Sequence, residues 1–349
     1  MTVSVAALKR PGYREIPLYS TPRERSEVDL SDNTNLWGAP PSALLSLRET
    51  AEETVTRYPA AYEPALREAL ADYAGVPVDM IVAGCGSDDV LDSAIRAFAE
   101  PGDFLCLPAP SFSMIPVFAR TSGLIPIEVP LTARLDPDAA AMVETGAQIT
   151  YLCSPNNPTG GAFSREAVER VAWGASGLVI IDQAYAEFGG DSFIDLVSAG
   201  RPVLVTRTLS KAFGLAGLRV GYGIGSPELV GEIMKARGPY KVNALAERAA
   251  IAAIENDQRW VADRAAEVVV NRVRFQQELA LRGITSLPSA ANFVLLPVKD
   301  CAAASERLRR QGIGVRALPA LPGIGDALRI GIGPWDMMER CLDALGGIA

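Results

Sequence analysis

Between about residue 65 and residue 250, short apolar runs alternate with amphipathic stretches. The runs are Ile81-Val82-Ala83, Phe104-Leu105-Cys106-Leu107, Ile149-Thr150-Tyr151-Leu152-Cys153, Leu178-Val179-Ile180-Ile181 and Val203-Leu204-Val205. Each is continuous rather than alternating, as expected of strands buried on both faces of a mostly parallel sheet. After Gly86, the residues Val90, Leu91, Ala94, Ile95 and Phe98 share one face of a helix that Pro101-Gly102 brings to an end. This alternation predicts a doubly wound α/β domain. From Glu255 to Arg282 the pattern becomes long and helical, with Trp260, Val261, Ala265, Val268, Val269, Val273, Phe275 and Leu279 apolar. Beyond it, Asn292–Leu296 and Ala327–Ile332 read as strands of a second, smaller α+β region. The expected division is a large domain over residues 40–255 and a small domain made of 1–39 with 256–349. No internal repeat or low-complexity segment interrupts this plan.

Polar, Gly- and Pro-rich segments follow the five runs: GCGSDD, PAPSFSM, SPNNPTGG, DQAYAEF and RTLSKAFGLAGLR. Ligands of open α/β sheets bind outside the carboxyl ends of the strands. Any one of these segments is adequately read as a connector. All five together predict one site on one edge of the sheet.

Composition narrows the chemistry. Net charge is −8 and no Lys/Arg block occurs, which argues against a nucleic-acid partner. The apolar runs are far too short to span a bilayer, and the N-terminus lacks the apolar core of a signal peptide. Cys85, Cys106, Cys153, Cys301 and Cys341 form no CxxC pair and read as reduced, buried thiols of a cytoplasmic protein. The chain has no histidine. Serine triads, Cys–His pairs and histidine zinc sites are therefore excluded. Acid–base work near neutral pH falls to Lys, Tyr, Asp, Glu or Cys with shifted pKa, or to a cofactor.

Lys211 closes a buried strand and precedes a glycine-rich stretch. A partly buried amine has a lowered pKa and condenses with aldehydes. Thr208 and Arg219 flank it at offsets suited to gripping a phosphate ester. Asp182 ends another strand, where a carboxylate is costly unless paired, and a pyridinium nitrogen is a suitable partner. Tyr185, three residues on, and Asn157, held between prolines, are both placed to hydrogen-bond the phenolic oxygen of such a ring. Gly86-Ser87-Asp88 opens a helix, where free N–H groups favour a phosphate. Phe112 is placed to stack on a ring. Each residue taken alone also has a plainer reading: a structural lysine, a helix-capping Asp with a core Tyr, a Pro/Gly turn, ordinary N-caps, a core aromatic.

The stretches SPNNPTG (154–160), TLSKAFGLAGLRVGY (208–222), Pro239-Tyr240-Lys241-Val242-Asn243, Asn292-Phe293 and Leu328-Arg329-Ile330 resemble those of class I/II aminotransferases. These are fold-type I enzymes dependent on pyridoxal 5'-phosphate (PLP). Within the group the chain is most similar to the histidinol-phosphate aminotransferases, from about Asp29 to the C-terminus. The resemblance implies that Lys211 is the Schiff-base lysine, that Asp182 pairs with the pyridine nitrogen, and that Tyr185 and Asn157 contact the phenolic oxygen. It places Ser87, Asp88, Thr208, Ser210 and Arg219 around the phosphate and Phe112 on the ring. Tyr58 matches a tyrosine that reaches the neighbouring subunit's cofactor, implying a homodimer. Arg329, with Arg316 near it, matches the arginine for the substrate's anionic group, and Tyr19 resembles a substrate-facing tyrosine. The implied reaction passes an amino group from histidinol phosphate to 2-oxoglutarate. An aromatic amino-acid aminotransferase, a threonine-phosphate decarboxylase and a non-catalytic regulator share the scaffold. No GxGxxG follows a strand, which argues against a dinucleotide-binding dehydrogenase.

Two positions depart from the group's pattern. Gln183 stands where DEAY has Glu, with little effect expected because that side chain is no cofactor contact. Asn33-Thr34-Asn35-Leu36 stands for NENP, in the N-terminal segment that closes over the substrate.

Overall fold

A computed structural model describes residues 11–13, 16, 18 and 26–346 of the chain. Its strands are β1 Val28–Asp29, β2 Ile81–Cys85, β3 Phe104–Ala109, β4 Ile125–Pro130, β5 Ile149–Cys153, β6 Leu178–Asp182, β7 Val203–Thr208, β8 Val220–Ile224, β9 Phe293–Pro297, β10 Ile313–Gly314, β11 Arg316–Leu321 and β12 Gly325–Gly331. Among the described residues, seven strands form the main sheet in the order β2-β8-β7-β6-β5-β3-β4. The run from β7 to β4 is parallel, while β8 runs antiparallel to both β7 and β2.

The continuous apolar runs are explained by cover on both faces. Val82, Leu105, Tyr151, Ile180 and Leu204 pack on one side with the helices Ser87–Phe98, Ile115–Ser122 and Pro227–Arg237. Ile81, Cys106, Leu152, Val179 and Val205 pack on the other with the helices Pro64–Ala74, Arg165–Gly174 and Ala244–Asn256. Neighbouring residues of a strand face opposite ways, so each strand is apolar throughout. The α/β, doubly wound expectation is borne out by this sheet. A second sheet, β11-β12-β9, is antiparallel and sets Arg316 opposite Arg329.

The pattern of the sequence misses two strands of the main sheet. β4 lies at the edge, is only partly covered and contains two prolines, so it lacks a buried apolar run. β8 reads VGYGI because its neighbours crowd it. A Cβ on Gly221 would lie 2.1 Å from the Ser87 nitrogen, and one on Gly223 would meet Val90 at 2.9 Å. The long helical pattern predicted from Glu255 to Arg282 is borne out as one helix, Gln258–Leu281, set off from the preceding helix Ala244–Asn256 by a break at Asp257. At the break, the Asp257 carboxylate accepts from the Ser42 nitrogen and hydroxyl at 2.8 and 3.1 Å. The expectation of five buried thiols also needs correction. Cys106, Cys153, Cys301 and Cys341 are buried, but Cys85, the last residue of β2, is exposed.

No helix among the described residues is long and apolar enough to cross a membrane. No group of three potential metal ligands occurs among them either.

Candidate active site

The carboxyl ends of β2, β3, β5, β6 and β7 open on one cleft. Ser87, Asp88, Phe112, Asn157, Asp182, Tyr185, Thr208, Ser210, Lys211, Arg219 and Arg329 line it, with Asp32, Asn33, Cys153 and Ala184. Being antiparallel, β8 begins where its neighbours end: Val220 pairs with Cys85, and Gly221 with Thr208. That reversal delivers Arg219 to the same edge.

At one pole the groups suit a phosphate. The helix Ser87–Phe98 starts from Gly86 at φ 79°, with no side chain capping its N-terminus. A Cβ on Gly86 would come within 2.5 Å of Arg219 Nη2, so only glycine leaves this space open. Arg219 holds φ +55°, a left-handed conformation that a side chain rarely adopts. Its guanidinium donates to Ser210 Oγ at 3.4 Å and to the Asp88 carboxylate at 3.1 Å. Asp88 thus serves as the arginine's counter-ion, and its own side chain offers no donor. Thr208 Oγ1 accepts from the Ser210 nitrogen at 3.1 Å.

The middle of the cleft holds Asp182, which is 3% exposed. Its Oδ2 accepts from the Tyr151 hydroxyl at 2.8 Å, and its Oδ1 accepts from Thr206 Oγ1 and the Ala184 nitrogen, each at 3.1 Å. Burial pushes its carboxyl up to about 6 even against these donors. Tyr185 is buried edge-on to Phe293, and its hydroxyl accepts from Asn33 Nδ2 at 3.2 Å. That bond leaves the hydroxyl proton of Tyr185 pointing elsewhere, as a donor. Burial also raises the Tyr185 phenol, so it stays protonated.

Asn157 sits on a turn that its neighbour locks. Asn156 donates to the Pro110 carbonyl at 3.0 Å and to Thr159 at 2.9 Å, and accepts from Ser111 at 2.9 Å. Lys211 is half-buried, with Nζ 3.4 Å from the Asp32 carbonyl and 5.8 Å from the centre of the Tyr185 ring. Burial and the nearby Arg329 guanidinium lower its amine to about 8, well below an ordinary lysine, so the neutral amine is far more accessible near neutral pH than in a free lysine. At the far pole, Arg329 donates to Asn157 Oδ1 at 2.7 Å and to the Ser31 carbonyl at 2.9 Å. Asp326, three positions before Arg329 on β12, accepts from the Cys301 and Ala320 nitrogens, at 3.0 and 2.9 Å.

Some expected residues stand apart. Arg316 lines an adjoining cleft with Ser31 and Asp32. Tyr58 is 85% exposed and lies against Tyr240, with ring centres 5.1 Å apart, in a surface groove. Tyr19 lies outside the described residues. Gln183 does not line the cleft; it holds the following loop by donating to the Asp191 carbonyl at 2.7 Å. Three groups with a part in the site escape the sequence reading. Tyr151 and Thr206 hold Asp182, and Asn292 donates to the Asn33 carbonyl at 2.9 Å. A polar or phenolic side chain facing inward from an otherwise aliphatic strand was the available signal for the first two.

The donor set fits PLP. It offers an uncapped helix start with hydroxyls and a guanidinium for the phosphate, a buried carboxylate for the pyridine nitrogen, and two hydrogen-bonding groups for the phenolic oxygen. A primary amine of lowered pKa stands ready for the aldehyde.

Known proteins agree. The profile of the family Aminotransferase class I and II matches residues 25–345. The histidinol-phosphate aminotransferase of Roseiflexus castenholzii is 36% identical, with all of both chains covered. That of Roseobacter denitrificans is 38% identical over 96% of this chain and 97% of the relative. Among solved structures, the histidinol-phosphate aminotransferase of Clostridium acetobutylicum superposes with a TM-score of 0.83 at 25% identity, covering 92% of this chain and 98% of that one. The enzyme of Sinorhizobium meliloti, solved in complex with pyridoxal-5'-phosphate, shares the fold with a TM-score of 0.85 at 24% identity, covering 97% of this chain and 96% of that one. The chain is a PLP-dependent enzyme of fold type I and belongs to the class I and II aminotransferase family.

Proposed function

We propose that the protein passes an amino group from histidinol phosphate to 2-oxoglutarate, a step of histidine biosynthesis, and works as a cytoplasmic homodimer. The observation that carries this reading is one cleft that joins the Lys211 amine, the buried Asp182 carboxylate and the Arg329 guanidinium. Bound PLP supplies an electron sink for the carbon that carries the amine. Asp182 holds the ring nitrogen, and Tyr185 and Asn157 hold the phenolic oxygen. The uncapped helix start, Ser87, Thr208, Ser210 and Arg219 grip the phosphate, and Phe112 covers the ring. Lys211, with its near-neutral amine, anchors the aldehyde and then moves the proton at the substrate carbon. Relatives named histidinol-phosphate aminotransferase, similar along their whole length, support the donor.

Both partners of the reaction bring an anionic end: a phosphate on histidinol phosphate, carboxylates on glutamate and 2-oxoglutarate. Arg329 offers a planar fork for either. Arg316, opposite it in register, adds charge for a dianionic phosphate. Asn33 contributes a buried Oδ1 that lacks a partner, an acceptor for an N–H or O–H of the donor. Exposed Tyr58 is assigned to the partner subunit's site, where a surface tyrosine in its own subunit has a role. Arg329→Lys keeps the charge and loses the fork. It is expected to weaken both half-reactions by about 1.5–3 kcal/mol, the worth of a hydrogen bond to a charged group. Single-turnover rates with each partner measure this, and an effect on only one half-reaction would reassign Arg329.

A panel of amino donors assayed with 2-oxoglutarate tests the substrate. Histidinol phosphate should give the highest kcat/KM, and histidinol, which lacks the anion, should be poor. Preference for phenylalanine or tyrosine would make the enzyme an aromatic aminotransferase. Release of carbon dioxide from threonine phosphate without use of an oxo acid would make it a decarboxylase.

A further inference from the structure

Strand β5 carries a tyrosine inside a fully buried run, Ile149-Thr150-Tyr151-Leu152-Cys153. Apolar burial explains the ring of Tyr151 but not its hydroxyl, which costs free energy in a sheet interior unless it is bonded. The hydroxyl spends its proton on Asp182 Oδ2 at 2.8 Å, with Tyr151 1% and Asp182 3% exposed. Asp182 is thus held from β5 by Tyr151, from β7 by Thr206 and from its own loop by the Ala184 nitrogen. Asp88, from the helix Ser87–Phe98, opposes its charge. Cys153 from β5 and Tyr185 from the loop after β6 also face it, and burial together with Asp182 raises both, so they stay neutral. Tyr151 is itself raised well above the ordinary phenol range by burial and by Asp182. It therefore remains a neutral donor across the working range of the enzyme.

We propose that Tyr151 is a positioning residue for the cofactor ring: its hydrogen bond keeps Asp182 anionic, so that the shared proton stays on the ring nitrogen and not on the carboxyl. This rests on the PLP reading above. A hydrogen bond to a carboxylate lowers its proton affinity. Without the Tyr151 hydroxyl, Asp182 competes better for the proton it shares with the pyridine nitrogen. The proton then moves from nitrogen to carboxyl oxygen, the pair becomes neutral, and the ring withdraws electrons less well.

Tyr151→Phe removes one oxygen and leaves the packed ring in place. The holoenzyme is loaded with PLP labelled with nitrogen-15 in the ring, and the nitrogen resonance is read at neutral pH. Wild type is expected to show a protonated pyridine. In Tyr151→Phe the resonance should move toward the unprotonated value, reflecting a roughly tenfold change in the proton's distribution, equivalent to about one pKa unit. A fall in kcat of about tenfold, with KM for the amino donor unchanged, should accompany it. Tyr222→Phe removes the hydroxyl of another fully buried tyrosine, on β8, and should leave the resonance in place. An unshifted resonance in Tyr151→Phe, whatever its activity, would reduce Tyr151 to a packing residue and overturn the proposal alone. A wild-type protein that takes up no PLP would overturn both this proposal and the reading on which it rests.

Discussion

Lys211→Ala is expected to lower kcat by about 10⁴-fold, because it removes the amine proposed to move the proton at the substrate carbon, and general acid–base catalysis contributes about 10²–10⁴-fold. Loss of the covalent anchor adds to the upper end of that range. The variant should still bind PLP, since Ser87, Thr208, Ser210 and Arg219 at the phosphate pole are untouched. Binding and chemistry therefore separate, and equilibrium dialysis beside single-turnover kinetics will show it. A small amine such as methylamine, added to the variant, should recover part of the rate by entering the space the side chain leaves. In the wild-type protein, borohydride reduction should fix the cofactor to the peptide containing Lys211. The amine is lowered to about 8, so uptake of PLP by the cofactor-free protein should rise with pH and level off above about 8. Label on another lysine, or a variant that turns over normally, would remove Lys211 from the mechanism.

Asp182→Asn is expected to reduce transamination by about 10²-fold, a loss of roughly 3 kcal/mol of transition-state stabilisation. Shape is kept: an asparagine oxygen accepts from Thr206 and the Ala184 nitrogen, and the Tyr151 hydroxyl turns to accept from the new amide. What disappears is the negative charge beside the ring nitrogen. The same substitution should have the opposite effect on the stability of the cofactor-free protein. Burial raises the folded-state value from 3.8 to about 6, so the folded protein disfavours the carboxylate. Below pH about 4 the group is protonated in both states and contributes nothing. As pH rises from about 4 to about 6 the burial cost grows to its full size, on the order of 3 kcal/mol. Asparagine removes that cost, so the variant should gain stability over wild type as the pH rises from 4 to 6 and keep the gain above it. Denaturant unfolding at pH 4 and pH 7 reads the difference. Near-normal turnover would sink the charge argument, and a pH-independent stability difference would sink the burial argument.

Much of the sheet was legible because burial on both faces leaves a plain mark, as in Leu178–Ile181 and Val203–Val205. The mark fails where the surroundings change the residue types. β8 is glycine-rich because Gly221 packs against the Ser87 nitrogen, so it reads as loop. Edge strand β4 has solvent on part of its surface and carries two prolines, so it lacks the continuous apolar run that marks the other parallel strands. In the cleft, residues on strand ends could be found because a polar group directly after an apolar run is conspicuous. Thr206 and Tyr151 are hidden because they lie inside their runs, where a hydroxyl passes for a strand-forming side chain. The link from Asn33 to Tyr185 spans 152 positions and leaves no local pattern at all.

Strand β2 joins the sheet only through β8, which follows it after the parallel strands have all been laid down. The helix start at Gly86 therefore meets Arg219 only when the two ends of this long excursion close on each other. Contacts of such separation form slowly, since the entropy of closing the loop comes before any reward. A refolding chain can assemble the Asp182 carboxylate and the Asn157 turn on neighbouring parallel strands while the phosphate grip is still missing. Because the phosphate grip completes late, PLP binding is expected to deepen the native state by mass action and to slow unfolding more than it speeds folding.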